Sequence, residues 1–131
     1  MRFADYMAAF NRYDDAALIR EFWAEDCVME TAGGRVLRGQ AEVLALLDRL
    51  HDGVRETMRP QMVIEDGVHI FAEIDMDFTA ARDRPDFQFG ALKAGETVTV
   101  KVFALYRIEA GKVAHLKTAT WAPGVGVTRA G

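Results

Sequence analysis

From Val68 to Ala80 the chain alternates without a break. Val68, Ile70, Ala72, Ile74, Met76 and Phe78 take one parity, and His69, Phe71, Glu73, Asp75 and Asp77 the other. Successive side chains of a strand point to opposite faces, so this stretch predicts a long strand with one core face and one charged face. Thr97 to Ile108 repeats the pattern, with Val98, Val100, Val102, Ala104, Tyr106 and Ile108 set against Thr99, Lys101, Phe103, Leu105 and Arg107. Val113 to Trp121 does so again, with Ala114, Leu116, Thr118 and Thr120 opposing Val113, His115, Lys117, Ala119 and Trp121. Three such strands in succession form an antiparallel meander. Its outer face pairs acidic residues with Lys101, Arg107 and Lys117 across strands. The same face carries Phe71, Phe103, Leu105 and Trp121, a mixture that predicts a homodimer packed sheet to sheet.

The first half has a different period. Phe3, Tyr6, Met7, Phe10 and Tyr13 recur at helical spacing, and Leu18, Ile19, Phe22 and Trp23 do so after Asp14 and Asp15, either of which can cap a new helix. Cys27 to Thr31 turns strand-like, Gly33 and Gly34 make a turn, and Arg35 to Arg38 returns. Gln40 to His51 is a third helix with Val43, Leu44, Leu46, Leu47 and Leu50 on its apolar stripe, and Gly53 follows as a C-cap. Gln61 to Glu65 then leads through Asp66 and Gly67, a dipeptide suited to a type I′ turn, into the meander. The expected class is therefore α+β: helices first, sheet after.

At 131 residues the chain suits one domain with one core. A formal charge of -4 and the lack of any basic run argue against nucleic-acid binding. No stretch has the length of a membrane span or the pattern of a secretion signal, so a cytoplasmic protein is expected, with no membrane contact. The single cysteine, Cys27, lies in an apolar strand pattern and reads as a small buried hydrophobe. The tail from Pro123 to Gly131 reads as loosely ordered.

The opening YMAAFNRYDDAALIREFWAEDCVMET, the GRVLRGQAEVLALL run and the closing ALYRIEAGKVAHLKTATW resemble the nuclear transport factor 2-like superfamily, within it the SnoaL-like polyketide cyclases and the ketosteroid isomerases. The resemblance spans Phe3 to Trp121 and implies a cone: three N-terminal helices on a strongly curved, mainly antiparallel sheet, enclosing an apolar pocket. Isomerases of this kind use an aspartate base with an oxyanion hole of a tyrosine and a protonated acid. Tyr6 matches the tyrosine. Thr31, after Glu30, stands at the base position, and Ala104 stands where the protonated acid would be. Leu116 and Thr118 look like the positions where SnoaL-type cyclases carry histidine and aspartate. The implied site therefore keeps Tyr6 as electrophile and leaves Glu30 as the nearest base, provided a bulge turns it inward.

Thr31, Met76, Ala104, Tyr106, Leu116 and Thr118 are the expected ligand-binding residues, and the expected ligand is a small hydrophobic carbonyl compound acted on by isomerisation, cyclisation or dehydration. The competing reading is a noncatalytic ligand carrier or dimerisation module. An epoxide hydrolase of this fold would need two acids and a basic residue in the cavity, which the inward-facing set does not supply. His69 and His115 read as paired on the outer face, and His51 as a helix-dipole partner. Neither a metal nor a cofactor is expected.

Overall fold

The computed structural model of the chain describes residues 1–122; the tail from Pro123 lies outside the described residues. Two eight-residue helices come first, α1 (Phe3–Phe10) and α2 (Asp15–Phe22). Phe3, Tyr6, Ala9 and Phe10 are buried on α1, and Leu18 and Ile19 on α2. Asp14 starts α2, its Oδ1 accepting the Ala17 N–H at 3.1 Å, which satisfies one of the donors a helix start leaves open. Strand β1 (Trp23–Glu30) follows without a loop, then β2 (Val36–Arg38) and helix α3 (Gln40–Leu50). Gly39 opens α3 at φ +82°, in the left-handed region that costs glycine nothing, and its N–H donates to the Cys27 carbonyl at 2.8 Å.

The rest is sheet: β3 (Val54–Glu65), β4 (His69–Ala80), β5 (Thr97–Glu109) and β6 (Lys112–Thr120). The strands lie in the order β2-β1-β6-β5-β4-β3. The meander forms as the alternation predicts, with β3–β4, β4–β5 and β5–β6 all antiparallel. β1 joins the sheet through a parallel pairing with β6. Three register shifts bend it, in β1 between Trp23 and Val28, in β3 between Pro60 and Met62, and in β5–β6 after Arg107. Bulges increase local twist and curl a sheet, here around the helices. Pro60 is tolerated because β3 is an edge strand.

Several local readings are corrected. β1 begins at Trp23 rather than Cys27 and β3 at Val54 rather than Gln61, because each strand continues past the stretch that alternates cleanly. The β3–β4 connection is a three-residue loop rather than a type I′ turn. Gly67 alone takes positive φ, at 91°, while Asp66 Oδ1 accepts the N–H groups of Val68 at 2.9 Å and His69 at 2.6 Å. That side-chain turn replaces the second left-handed residue a type I′ turn requires. In β6 the bulge leaves Ala114 unpaired, so Val113 packs in the core opposite Ile108 instead of facing out.

The outer face is laced with ions. Lys101 Nζ lies 2.5 Å from Glu73 and 3.1 Å from Asp75, whereas Asp77 pairs with Arg59 at 2.5 Å. Arg107 turns to its own strand neighbour, Glu109. Among these charges Phe71 and Phe103 stack at 5.9 Å between ring centroids, and Phe103 meets Trp121 at 6.5 Å.

Candidate functional site

The helices and the curved sheet leave a cavity of about 470 Å³ between them, within the range that holds small-molecule ligands. Its walls are mostly apolar. Met58, Met76, Phe78 and Leu116 line it from the sheet, and Val43 and Leu47 from α3. Thr31, Met76, Ala104, Tyr106, Leu116 and Thr118, named from the sequence, all lie on this lining. Arg35, Gln88 and Thr120 are exposed lining residues and mark the rim.

Tyr6 reaches the lining from α1 at 2% exposure. Its oxygen accepts the Trp23 indole N–H at 3.3 Å, so the phenolic proton itself is left to donate to something else. Tyr106 meets Tyr6 edge-on at 5.5 Å between ring centroids. Its hydroxyl has no protein hydrogen-bond partner among the described residues, yet no side-chain oxygen or nitrogen there is both sealed and unpartnered. The Tyr106 oxygen therefore borders the cavity. Burial raises both phenols above their ordinary pKa, so each is a neutral donor at physiological pH. Thr31 Oγ1 accepts the Arg35 N–H at 3.1 Å, which holds its hydroxyl in the β1–β2 turn at the cavity wall.

Glu30 differs from its expected place. Cys27, Met29 and Thr31 share the inward parity of β1, and no bulge falls after Val28 to reverse it. Glu30 therefore faces outward, its carboxylate 2.6 Å from His115 Nε2 and 3.7 Å from Lys117 Nζ. His69 likewise pairs with Asp66 at 3.1 Å.

The carboxylate that does reach the lining is Glu56, on the inward parity of β3 with Val54 and Met58. It is 7% exposed, the one charged residue among the buried residues described. Its Oε1 lies 2.8 Å from His51 Nε2, and His51 Nδ1 lies 2.6 Å from Asp15 Oδ2. The three elements that meet here are the start of α2, the end of α3 and the start of β3. Burial raises the Glu56 pKa, and the hydrogen bond and charge of His51 pull part of that rise back. For His51 burial acts downward, but the hydrogen bonds and charges of Asp15 and Glu56 outweigh it and raise its pKa from 6.5 to about 9. At neutral pH His51 is an imidazolium, held between the side chains of Asp15 and Glu56. Among the described residues no group of three His, Cys, Asp or Glu side chains is arranged to hold a metal ion.

The model of the SnoaL-like domain matches residues 3–116. The chain belongs to the SnoaL-like domain family. The wider class is nuclear transport factor 2-like, and solved structures show the same architecture. A candidate polyketide cyclase from Xanthomonas campestris pv. campestris is 25% identical, with a TM-score of 0.74 over 87% of this chain and 83% of that one. A candidate polyketide cyclase from Pseudomonas putida is 22% identical, with a TM-score of 0.73 over 90% and 86%. An epoxide hydrolase of M. tuberculosis is 16% identical, with a TM-score of 0.68 over 88% and 77%. No curated protein matches the chain. A SnoaL-like domain supplies the scaffold, and the chemistry must be read from the groups on its cavity wall.

Proposed function

We propose that this SnoaL-like domain binds a small, flat, mostly apolar carbonyl compound in the interior cavity, with Tyr6 donating a hydrogen bond to the carbonyl oxygen. The observation that carries the reading is the Trp23–Tyr6 contact: the indole occupies the phenol's acceptor side and leaves its proton unclaimed. A donor preset in a mostly apolar cavity, without rearrangement, suits an oxygen that is neutral in the ligand and gains charge in a reaction. Thr31, Met76, Ala104, Leu116 and Thr118 shape the cavity, and Tyr106 is a second donor at its wall. The reactions the site favours are isomerisation, cyclisation or dehydration of that compound.

Epoxide hydrolysis is less well supported. Two acids and a base do meet in Asp15, His51 and Glu56, but only Glu56 of the three lines the cavity. The buried, unpaired Cys27 is consistent with a reducing compartment such as the cytoplasm. The Phe71, Phe103 and Trp121 stripe with its flanking ion pairs supports a homodimer through the outer sheet face.

The test is a panel of aryl ketones and conjugated enones scored by thermal shift, followed by titration of the best binder against wild type and Tyr6→Phe. Loss of the phenol should weaken binding by about 0.5 to 1.5 kcal/mol, the net value of one hydrogen bond. A panel in which nothing stabilises the fold would remove the binding reading and leave the outer face as the functional surface.

A further inference from the structure

Carbonyl binding at Tyr6 leaves the Asp15–His51–Glu56 array without a task. A purely structural ion pair would be closed on both sides. This one is open on both: Glu56 lines the main cavity, and Asp15, His51 and Glu56 together line a second pocket of about 260 Å³ that also touches Phe10, Tyr13 and Arg55. One Glu56 oxygen is held by His51, and among the described residues the other has no protein partner and is not sealed. The carboxylate therefore has a lone pair free where the two cavities meet, on the wall of the apolar one that also carries two phenolic donors. The groups facing it are His51 from the end of α3, Asp15 from α2 through His51, and Tyr6 from α1. Arg55, its neighbour on β3, turns instead over the Tyr13 ring at 5.0 Å.

We propose that Glu56 is the general base of the cavity, taking a proton from a carbon adjacent to the ligand carbonyl, while His51, itself held by Asp15, positions the carboxylate through its Nε2–H. The inference rests on the carbonyl-binding reading. In the step, the C–H bond breaks, the proton goes to the free Glu56 oxygen, and the electron pair moves into an enolate whose oxygen is stabilised by the Tyr6 O–H. Glu56 then returns that proton to the same or a conjugated carbon, or first swaps it with water in the second pocket that it also lines, so the net change is isomerisation in the first case and exchange with water in the second. The base thus comes from β3, not from the β1 position occupied here by Thr31. Burial makes Glu56 a stronger base than a solvated carboxylate, and the imidazolium beside it favours its ionised form.

The test uses 2-tetralone, a flat aryl ketone with acidic α-hydrogens, in D₂O, with loss of its C1 proton signal followed by NMR and its binding by line broadening. Wild type should exchange these protons faster than buffer alone. Glu56→Gln, which keeps the hydrogen bond to His51, should bind 2-tetralone but lose exchange by ~10²-fold or more, the usual contribution of positioned proton transfer. If Glu56→Gln fails to fold, Glu56→Asp, which keeps the charge but withdraws the carboxylate, must show the same loss. His51→Gln should move the acid limb of the exchange profile to higher pH, because the charge that favours ionised Glu56 is gone. A purely structural His51 would lower the rate at every pH without moving that limb. If 2-tetralone binds and wild type exchanges it no faster than Glu56→Gln, the base assignment is overturned and the binding reading stands. Failure of 2-tetralone to bind wild type overturns both.

Discussion

Replacing His51 with glutamine should destabilise the fold by an amount that depends steeply on pH. The wild-type imidazole bridges Asp15 at 2.6 Å and Glu56 at 2.8 Å, with side-chain exposures of 15%, 16% and 8% for His51, Asp15 and Glu56. Its folded pKa lies above its unfolded value, so its contribution is fully present below pH 6.5 and is lost as pH rises through about 9. A tenfold difference in proton affinity between the folded and unfolded chain is worth ~1.4 kcal/mol, so the rise from 6.5 to about 9 sets an upper bound on the order of 3 kcal/mol. Glutamine keeps an uncharged hydrogen bond in place of the charged one, worth about 1 kcal/mol, so a net of about 2 kcal/mol is expected. Urea unfolding of wild type and His51→Gln at pH 6 and pH 9.5 measures it. The difference should be about 2 kcal/mol at the lower pH and under about 1 kcal/mol at the higher, where both proteins carry an uncharged bridge. Equal differences at the two pH values would refute the idea that the imidazolium charge holds the array together.

Asn11 clamps Met58, donating to its carbonyl at 3.1 Å and accepting its N–H at 2.8 Å, so Asn11→Ala leaves two backbone groups open and should cost roughly 2 kcal/mol in urea unfolding. Phe103→Asp places a like charge opposite Glu73 in the centre of the outer stripe, and sedimentation at micromolar concentration should then show a single species near 14.6 kDa where wild type sediments as a dimer. Wild type at that mass would remove the dimer.

The meander was legible because β4 and β5 carry their core residues on one parity from end to end. Helix periods in the first half were equally clear, for Tyr6 and Phe10 fall one turn apart on a face whose opposite side carries only Ala4, Asp5 and Ala8. Glu56 was hidden by its surroundings: it sits between Arg55 and Thr57, ahead of a proline, in a stretch whose outer positions are too mixed to announce a strand. The available signal was its parity with Val54 and Met58, which places a carboxylate among core residues. The end of α3 accounts for a histidine at position 51 by itself, and Asp15 reads as a second cap beside Asp14. These residues come from three elements, and only packing brings them together. Glu30 shows the converse, because alternation alone already assigned it to the face where it pairs with His115.

The parallel β1–β6 pairing has a consequence for how the chain reaches this state. Among the described residues β6 is the strand that joins β1 and β2 to the meander, so the sheet cannot close until β1 and β6 find each other across most of the sequence. Contacts of such long separation carry their loop-closure cost before they contribute anything, which slows folding. During synthesis the three helices and β1 emerge long before β6, with Trp23 and Met29 still without their partners Val113 and Leu116 on it. The early half of the polypeptide must therefore wait, its apolar side accessible to chaperones, until the last strand clears the ribosome.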